Sequence, residues 1–95
     1  MKTNKYNNTI TFLVKFLGAT NNKGSRVKIS EIKRYRDQKN NSVTLDYSYQ
    51  VGDILNQALE YLEKKGAKIV GYSSTVNEYL IFCDNWGDDY ITLKK

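Results

Sequence analysis

Residues 15–30, KFLGATNNKGSRVKIS, contain the residue types that bind phosphate in proteins: two glycines with a lysine between them and further cations after them. A phosphate-binding P-loop needs four residues between its glycines and a lysine directly after the second one. Here five residues separate Gly18 from Gly24, and Lys23 precedes the second glycine. A predicted strand also follows, so no helix N-terminus would face a phosphate. The sequence therefore favours a strand-turn-strand hairpin whose turn is shaped by Gly18 and Gly24.

The hairpin and the segment after it place many cations and one aromatic ring close together in the sequence. Cations neutralise phosphates and aromatic rings stack on bases, so this composition suits nucleic acid, and it equally suits an acidic protein surface. No recognisable nucleic-acid reader motif accompanies it, and an ordinary solvated basic surface is the alternative. The candidate partner-binding residues in this region are Lys23, Arg26, Lys28, Lys33, Arg34, Tyr35 and Arg36.

Residues 82–90, FCDNWGDDY, combine three carboxylates with a tryptophan and a turn glycine. Asp84, Asp88 and Asp89 are possible ligands for a divalent cation, but the spacing and terminal glutamate of an EF-hand are missing. The sequence favours a solvated turn or a contact loop, and it adds Trp86 to the candidate partner-binding residues. We predict no metal site and no cofactor.

The chain of 95 residues contains no histidine, which removes the Ser-His-Asp and Cys-His arrangements of nucleophilic catalysis. Its one cysteine, Cys83, cannot form an internal disulfide and is predicted to be a small buried residue. We find no apolar run long enough to span a membrane and no signal peptide. The sequence predicts a cytoplasmic protein that is not an enzyme and does not contact membranes. Its net charge of +5 favours encounters with acidic partners.

The elements that would position these residues follow from hydrophobic periodicity. Residues 9–17 alternate in the manner of a strand, and leucines on the second face indicate a central strand. Helical spacing over residues 51–65, with Asp53 in the first turn and Gly66 at the end, predicts one helix. The loss of alternation at Glu31 and Ile32 indicates a bulge or the end of the second strand. Other strands are predicted at residues 26–30, 43–48, 68–72, 78–84 and 90–94.

The predicted order is β-β-β-α-β-β-β. Strands in runs around one helix favour an α+β fold, with a mostly antiparallel sheet and the helix packed on one face. We predict a flexible tail at residues 1–8 and a single domain at residues 9–95.

The hairpin KFLGATNNKGSRVKI, followed by SVTLDYSY, resembles a family of small proteins encoded by bacteriophages and other mobile elements. Members share a hairpin of the form K-aromatic-aliphatic-G-x-T-N-x-K-G-S-R-aliphatic-K, then a short strand before a helix. The similarity covers about two thirds of the chain. The matching residues are Lys15, Gly18, Thr20, Asn21, Lys23, Gly24, Ser25, Arg26 and Lys28, then Ser42, Val43, Thr44, Tyr47 and the helix up to Gly66.

Proteins of this size and setting are often counter-defence factors, and the chain resembles anti-CRISPR proteins in being short and rich in contact residues. The resemblance implies inhibition of a host defence effector, such as a CRISPR nuclease, by stoichiometric association. The partner is then a host defence protein or its ribonucleoprotein complex. The alternative is a basic accessory protein that binds nucleic acid. The basic candidates would attract the partner, and Tyr35 and Trp86 would supply anchor area.

Overall fold

The computed structural model describes residues 9–22, 24–84 and 91–94. Within these ranges it contains one helix and a five-stranded sheet with the strand order β3-β2-β1-β5-β4. Every neighbouring pair of strands is antiparallel, and the helix packs on one face of the sheet, so the predicted α+β class is confirmed. The elements are β1 Ile10–Leu17, β2 Arg26–Glu31, β3 Ser42–Asp46, α1 Ile54–Lys64, β4 Ile69–Ser74 and β5 Glu78–Cys83.

Strand β1 is central, as its two-sided hydrophobic pattern predicted. It pairs with β2 along one edge and with β5 along the other, which joins the two halves of the chain in one sheet. Ile10, Phe12 and Val14 point to the helix side and are buried. Burying side chains of this kind contributes roughly 1.5–3 kcal/mol each. The rest of the buried core consists of Val27, Ile29, Val43, Leu55, Ala58, Leu62, Ile81, Cys83, Ile91 and Leu93.

Helix α1 has well-formed ends, and they explain why it is shorter than the predicted range. Asp53 is the N-cap, and its carboxylate accepts a hydrogen bond of 2.9 Å from the Leu55 amide. At the other end Gly66 has a φ of +94°, and Ala67 donates its amide to the Leu62 carbonyl at 2.9 Å. This is the pattern of a Schellman motif, and it confirms that Gly66 ends the helix.

Strand β2 ends where the alternation is lost. Glu31 is its last residue and lies on the buried side of the sheet, whereas Ile32 is 43% exposed. The Glu31 amide donates to the Asn41 carbonyl at 2.8 Å, which closes the connection that leads to β3. Of the two predicted alternatives, the end of the strand is confirmed.

The sixth predicted strand, at residues 90–94, is wrong for the part that the structure describes. Residues 91–94 alternate between buried and exposed positions, but they form no strand. Side chains take the place of a neighbouring strand. The Asn41 amide group accepts from the Leu93 N–H at 2.8 Å and donates to the Ile91 carbonyl at 2.9 Å. The Lys94 amide donates to the Tyr61 hydroxyl, which donates in turn to the Lys94 carbonyl.

The turn between β1 and β2 does not depend on left-handed glycines. Among the described residues only Gly52 and Gly66 have a positive φ, so the expected turn-shaping role of Gly18 and Gly24 is not supported. The predicted tail at residues 1–8 lies outside the described residues. In the described part of the chain, no helix is long and apolar enough to cross a membrane.

Candidate binding surface

The face of the sheet opposite the helix is left uncovered by the described residues. It is formed by alternate residues from Thr11 to Leu17, Arg26 to Ser30, Ser42 to Asp46 and Glu78 to Phe82, and we call it the open face. None of these residues is buried. A sheet face of an antiparallel sheet can remain in water, but its centre is then usually polar.

The centre of the open face is apolar. Leu13 of β1 lies directly opposite Leu80 of β5, and Phe82 lies opposite Thr11 one step further along. All four side chains are partly exposed. Ile32 lies beside Thr11, because its amide donates to the Thr11 carbonyl at 2.8 Å. An apolar centre with a polar surround is typical of a surface that docks onto another molecule.

One end of the open face carries a pair of like charges. Lys15 and Lys28 are direct cross-strand partners in the β1–β2 ladder, and both are exposed. Like charges in this position destabilise a sheet. Glu78 offsets part of the repulsion, since its carboxylate lies 3.5 Å from the Lys15 ammonium on the other side. Lys28 has no such partner among the described residues, and its charge is available to an anion.

Arg26 extends this cationic end toward the start of β2. It lies opposite Leu17 on one side and opposite Asp46 on the other. Within the described ranges it forms no ion pair, and its buried Nε has no hydrogen-bond partner. The guanidinium therefore has donor capacity left for a partner molecule.

The other basic candidates lie at the opposite end of β2, in the connection to β3. Lys33, Tyr35 and Arg36 are exposed there. Arg34 is different, because its Nε lies 3.4 Å from the buried Glu31 carboxylate. Its backbone amide also donates to the Gln38 side-chain oxygen at 2.7 Å.

The structure does not bring the predicted basic residues together into one patch. Five residue steps separate Arg26 from Glu31, which is roughly 17 Å along the strand. Arg26 and Lys28 therefore form one group with Lys15, and residues 33–36 form another. Lys23 and Trp86 lie outside the described residues.

A second surface lies at the helix N-terminus, and its residues are not among the candidate partner-binding residues. A groove with a cavity volume of about 410 Å³ runs between Phe16, Ile54 and the turn that joins β4 to β5. Tyr47 lies beside it and makes edge-to-face contacts with Phe16, at a centroid distance of 5.8 Å, and with Tyr49, at 4.8 Å. The abundance of tyrosine in this part of the sequence was the available signal, because tyrosine is enriched at interfaces.

The described residues show no arrangement for metal binding or nucleophilic chemistry. No three acidic or cysteine side chains among them come together in a way that could hold a metal ion. Asp88 and Asp89 lie outside the described ranges. Cys83 is buried in the core, as predicted, and burial raises the pKa of its thiol to about 11. The thiol is therefore protonated at neutral pH and is a poor nucleophile.

Comparison of the chain with models of known protein families, with curated proteins and with solved structures finds no match. The similarity of its hairpin to proteins of phages and mobile elements therefore stays a prediction.

Proposed function

We propose that this protein inhibits a host defence effector in the cytoplasm by binding to it stoichiometrically through the open face of its sheet. The effector class, a CRISPR nuclease or another defence protein with or without its bound RNA, is what the sequence resemblance implies. The observation that carries the proposal is the apolar centre around Leu13, Leu80 and Phe82, next to the cationic end formed by Lys15, Lys28 and Arg26.

The two parts of the open face support binding in different ways. Docking of a partner removes the partly exposed leucines and phenylalanine from water, which is the main source of affinity. The three cations at the end attract an acidic surface and raise the rate of association. Because Lys15 and Lys28 repel each other in the free protein, an anionic partner also relieves an unfavourable interaction.

The size of the open face indicates that flanking segments take part. Four strands spaced by about 4.8 Å, with about 20 Å of strand length, give a flat area of roughly 380 Å². A stable interface buries about 800 Å² on each partner. The connection at residues 32–41 borders the open face, with Ile32 beside Thr11, and is a nearby source of the remaining area.

The experiment is a titration of this protein into purified CRISPR nucleases and other defence effectors. Cleavage activity is followed against the molar ratio, and the complex mass is measured by light scattering after size exclusion. We expect activity to be lost at an equimolar ratio with one effector. Leu80→Asp, in the middle of the open face, should abolish inhibition, whereas Tyr49→Ala, on the helix side, should leave it unchanged.

Two results would count against this function. One is inhibition that Leu80→Asp leaves intact, provided that the variant melts normally by circular dichroism. The other is the absence of a complex with every effector while the protein binds duplex DNA with a steep salt dependence, which would favour the nucleic-acid-binding alternative.

A further inference from the structure

We propose that the connection between β2 and β3 contains a binding site for one nucleotide of a single-stranded nucleic acid. This segment forms an open pocket with a cavity volume of about 460 Å³, lined by Arg34, Tyr35, Asp37, Gln38 and Lys39. The volume lies within the range of roughly 300–1,000 Å³ that is common for small-ligand sites. The proposal does not depend on the open face, because the cavity lies beyond the opposite end of β2 from Arg26.

The segment is held in one conformation by hydrogen bonds at its base and across its middle. At the base, the Glu31 amide donates to the Asn41 carbonyl at 2.8 Å. Across the middle, the Arg34 amide donates to the Gln38 Oε1 at 2.7 Å, and the Gln38 amide donates to the Tyr35 carbonyl at 3.3 Å. A site that is ordered before binding loses little conformational entropy when a ligand enters.

Gln38 supplies the observation that points to a ligand. Only 6% of its surface is exposed, and it lines the cavity. The Arg34 amide fixes Oε1 as the acceptor, so the other end of the side chain is the donor nitrogen Nε2. Among the described residues this buried Nε2 has no hydrogen-bond partner. An unpaired buried donor is unfavourable, and the carbonyl oxygen or ring nitrogen of a base would satisfy it.

Tyr35 supplies the stacking surface. Its ring is 63% exposed on the wall of the cavity, although an aromatic side chain is usually better covered. Exposed tyrosines act as platforms on which unpaired bases stack, and the interaction tolerates any base. A base in a duplex already stacks on its neighbours, so a single strand is the form that this site accepts.

The phosphates would be bound by cations of the same segment. Lys39 lines the pocket, Lys33 and Arg36 are exposed close to it in the sequence, and Asp37 is the one acidic residue between Lys33 and Lys39. An acidic peptide would also be attracted by these cations. However, a peptide of Asp and Glu has no aromatic ring to stack on Tyr35, so the combination of the ring and the buried amide favours a nucleotide.

The experiment measures the fluorescence anisotropy of labelled oligo(U) and oligo(dT), about ten nucleotides long, and of a duplex DNA of equal length. We expect micromolar binding of both single strands and at least about tenfold weaker binding of the duplex. Between about 50 and 200 mM salt, log K should fall with a slope near −0.7 for each phosphate that is neutralised. Lys39→Ala should make this slope shallower by about 0.7, whereas Lys64→Ala on the helix should not change it.

The matched variants locate the site. Tyr35→Ala should weaken oligo(U) binding about tenfold, whereas Tyr49→Ala, which removes an even more exposed tyrosine elsewhere, should have no effect. Gln38→Glu retains the acceptor for the Arg34 amide and removes the donor, so it should also weaken binding. Thermal melts of each variant separate loss of binding from loss of folding.

Three outcomes would overturn the proposal: no binding of either single strand, equal effects of Tyr35→Ala and Tyr49→Ala, or displacement of oligo(U) by an oligoglutamate at the same concentration as by unlabelled oligo(U). The test is separate from that of effector inhibition. Leu80→Asp should leave oligo(U) binding intact although it abolishes effector inhibition, so the two proposals can fail independently.

Discussion

The guanidinium Nε of Arg34 lies 3.4 Å from Oε2 of Glu31, whose side chain has no exposed surface. The other carboxylate oxygen of Glu31 accepts a hydrogen bond of 3.2 Å from the Asn41 amide. A buried carboxylate is unfavourable unless charged or polar groups compensate it. Arg34 therefore has a structural role, whereas its neighbours Lys33 and Arg36 remain exposed to solvent.

Replacing Arg34 should destabilise the fold. Arg34→Ala leaves the Glu31 carboxylate without its cation, and we expect a loss of about 2 kcal/mol, less than for a fully buried pair because Arg34 is partly exposed. Arg36→Ala removes an exposed cation from the same segment and should change stability by less than about 0.5 kcal/mol. Urea unfolding followed by circular dichroism measures both. Equal stabilities of the two variants would show that the ion pair contributes nothing.

Asn41 should be essential for the position of residues 91–94. Its amide group makes both hydrogen bonds that a neighbouring strand would otherwise make to Ile91 and Leu93. Asn41→Ala leaves these backbone groups unpaired, so we expect a loss of about 2 kcal/mol. Hydrogen exchange of the Leu93 amide should also become faster. Asn40→Ala, at the exposed neighbouring position, is the control, and normal protection of Leu93 in Asn41→Ala would contradict this interpretation.

The parts of the fold that the sequence predicted correctly are those encoded by short-range patterns. The two-residue alternation in β1 located a central strand, and the stripe of apolar residues with Gly66 after it located the helix. The prediction failed at residues 91–94. Their alternation predicts an extended segment with one buried side. It does not predict that the side chains of Asn41 and Tyr61 take the place of a neighbouring strand.

The candidate binding surfaces were predictable only in part. Basic residues at positions 26, 28, 33, 34 and 36 stood out in the sequence, but their division between two ends of β2 follows from the register of the sheet. The ion pair of Arg34 depends on the burial of Glu31. This burial could not be predicted, because a charged residue at the end of a strand is usually exposed. The apolar centre around Leu80 and Phe82 arises because β5 pairs with β1, and that pairing joins distant parts of the chain.

Replacing glycines by alanine should show which positions need a glycine and which tolerate a side chain. Gly66 has a φ of +94°, a region that side chains disfavour, so Gly66→Ala should cost about 1–2 kcal/mol. At Gly18 an added Cβ has no atom within 4 Å, and φ is not positive. Gly18→Ala should therefore be neutral or stabilise the protein by up to about 1 kcal/mol through the unfolded state. Thermal unfolding of the two variants checks this, and a large loss in Gly18→Ala would restore a turn-shaping role to that glycine.

Stability should fall at alkaline pH because of Cys83. Burial raises its pKa from 9.0 to about 11, so the unfolded chain releases the thiol proton more readily than the folded protein does. The contribution of the buried thiol is complete below pH 9 and is lost as the pH rises through about 11. At about pH 10.5 the loss in the free energy of unfolding is about 2 kcal/mol.

The measurement compares urea unfolding of the natural protein and of Cys83→Ala at about pH 8 and about pH 10.5. Every other titratable group is the same in both proteins, so its effect cancels in the comparison. We expect the natural protein to lose more stability than the variant between the two pH values. Parallel losses would show that the thiol titrates normally in the folded state.

Lys28 should lower the stability of the fold and speed association with the effector. Its charge faces Lys15 across the β1–β2 ladder, so Lys28→Glu replaces a repulsive pair with an attractive one and should stabilise the fold by about 0.5 kcal/mol. The same change removes a cation from the open face and should slow association with the effector, most strongly at low salt. Lys33→Glu changes the net charge equally without facing a lysine in the ladder, so it should not raise stability. Urea unfolding and association rates at two salt concentrations test both effects. A Lys28→Glu variant that is less stable than the natural protein would contradict the repulsion between the lysines. A variant that associates as fast as the natural protein would contradict the role of Lys28 in association.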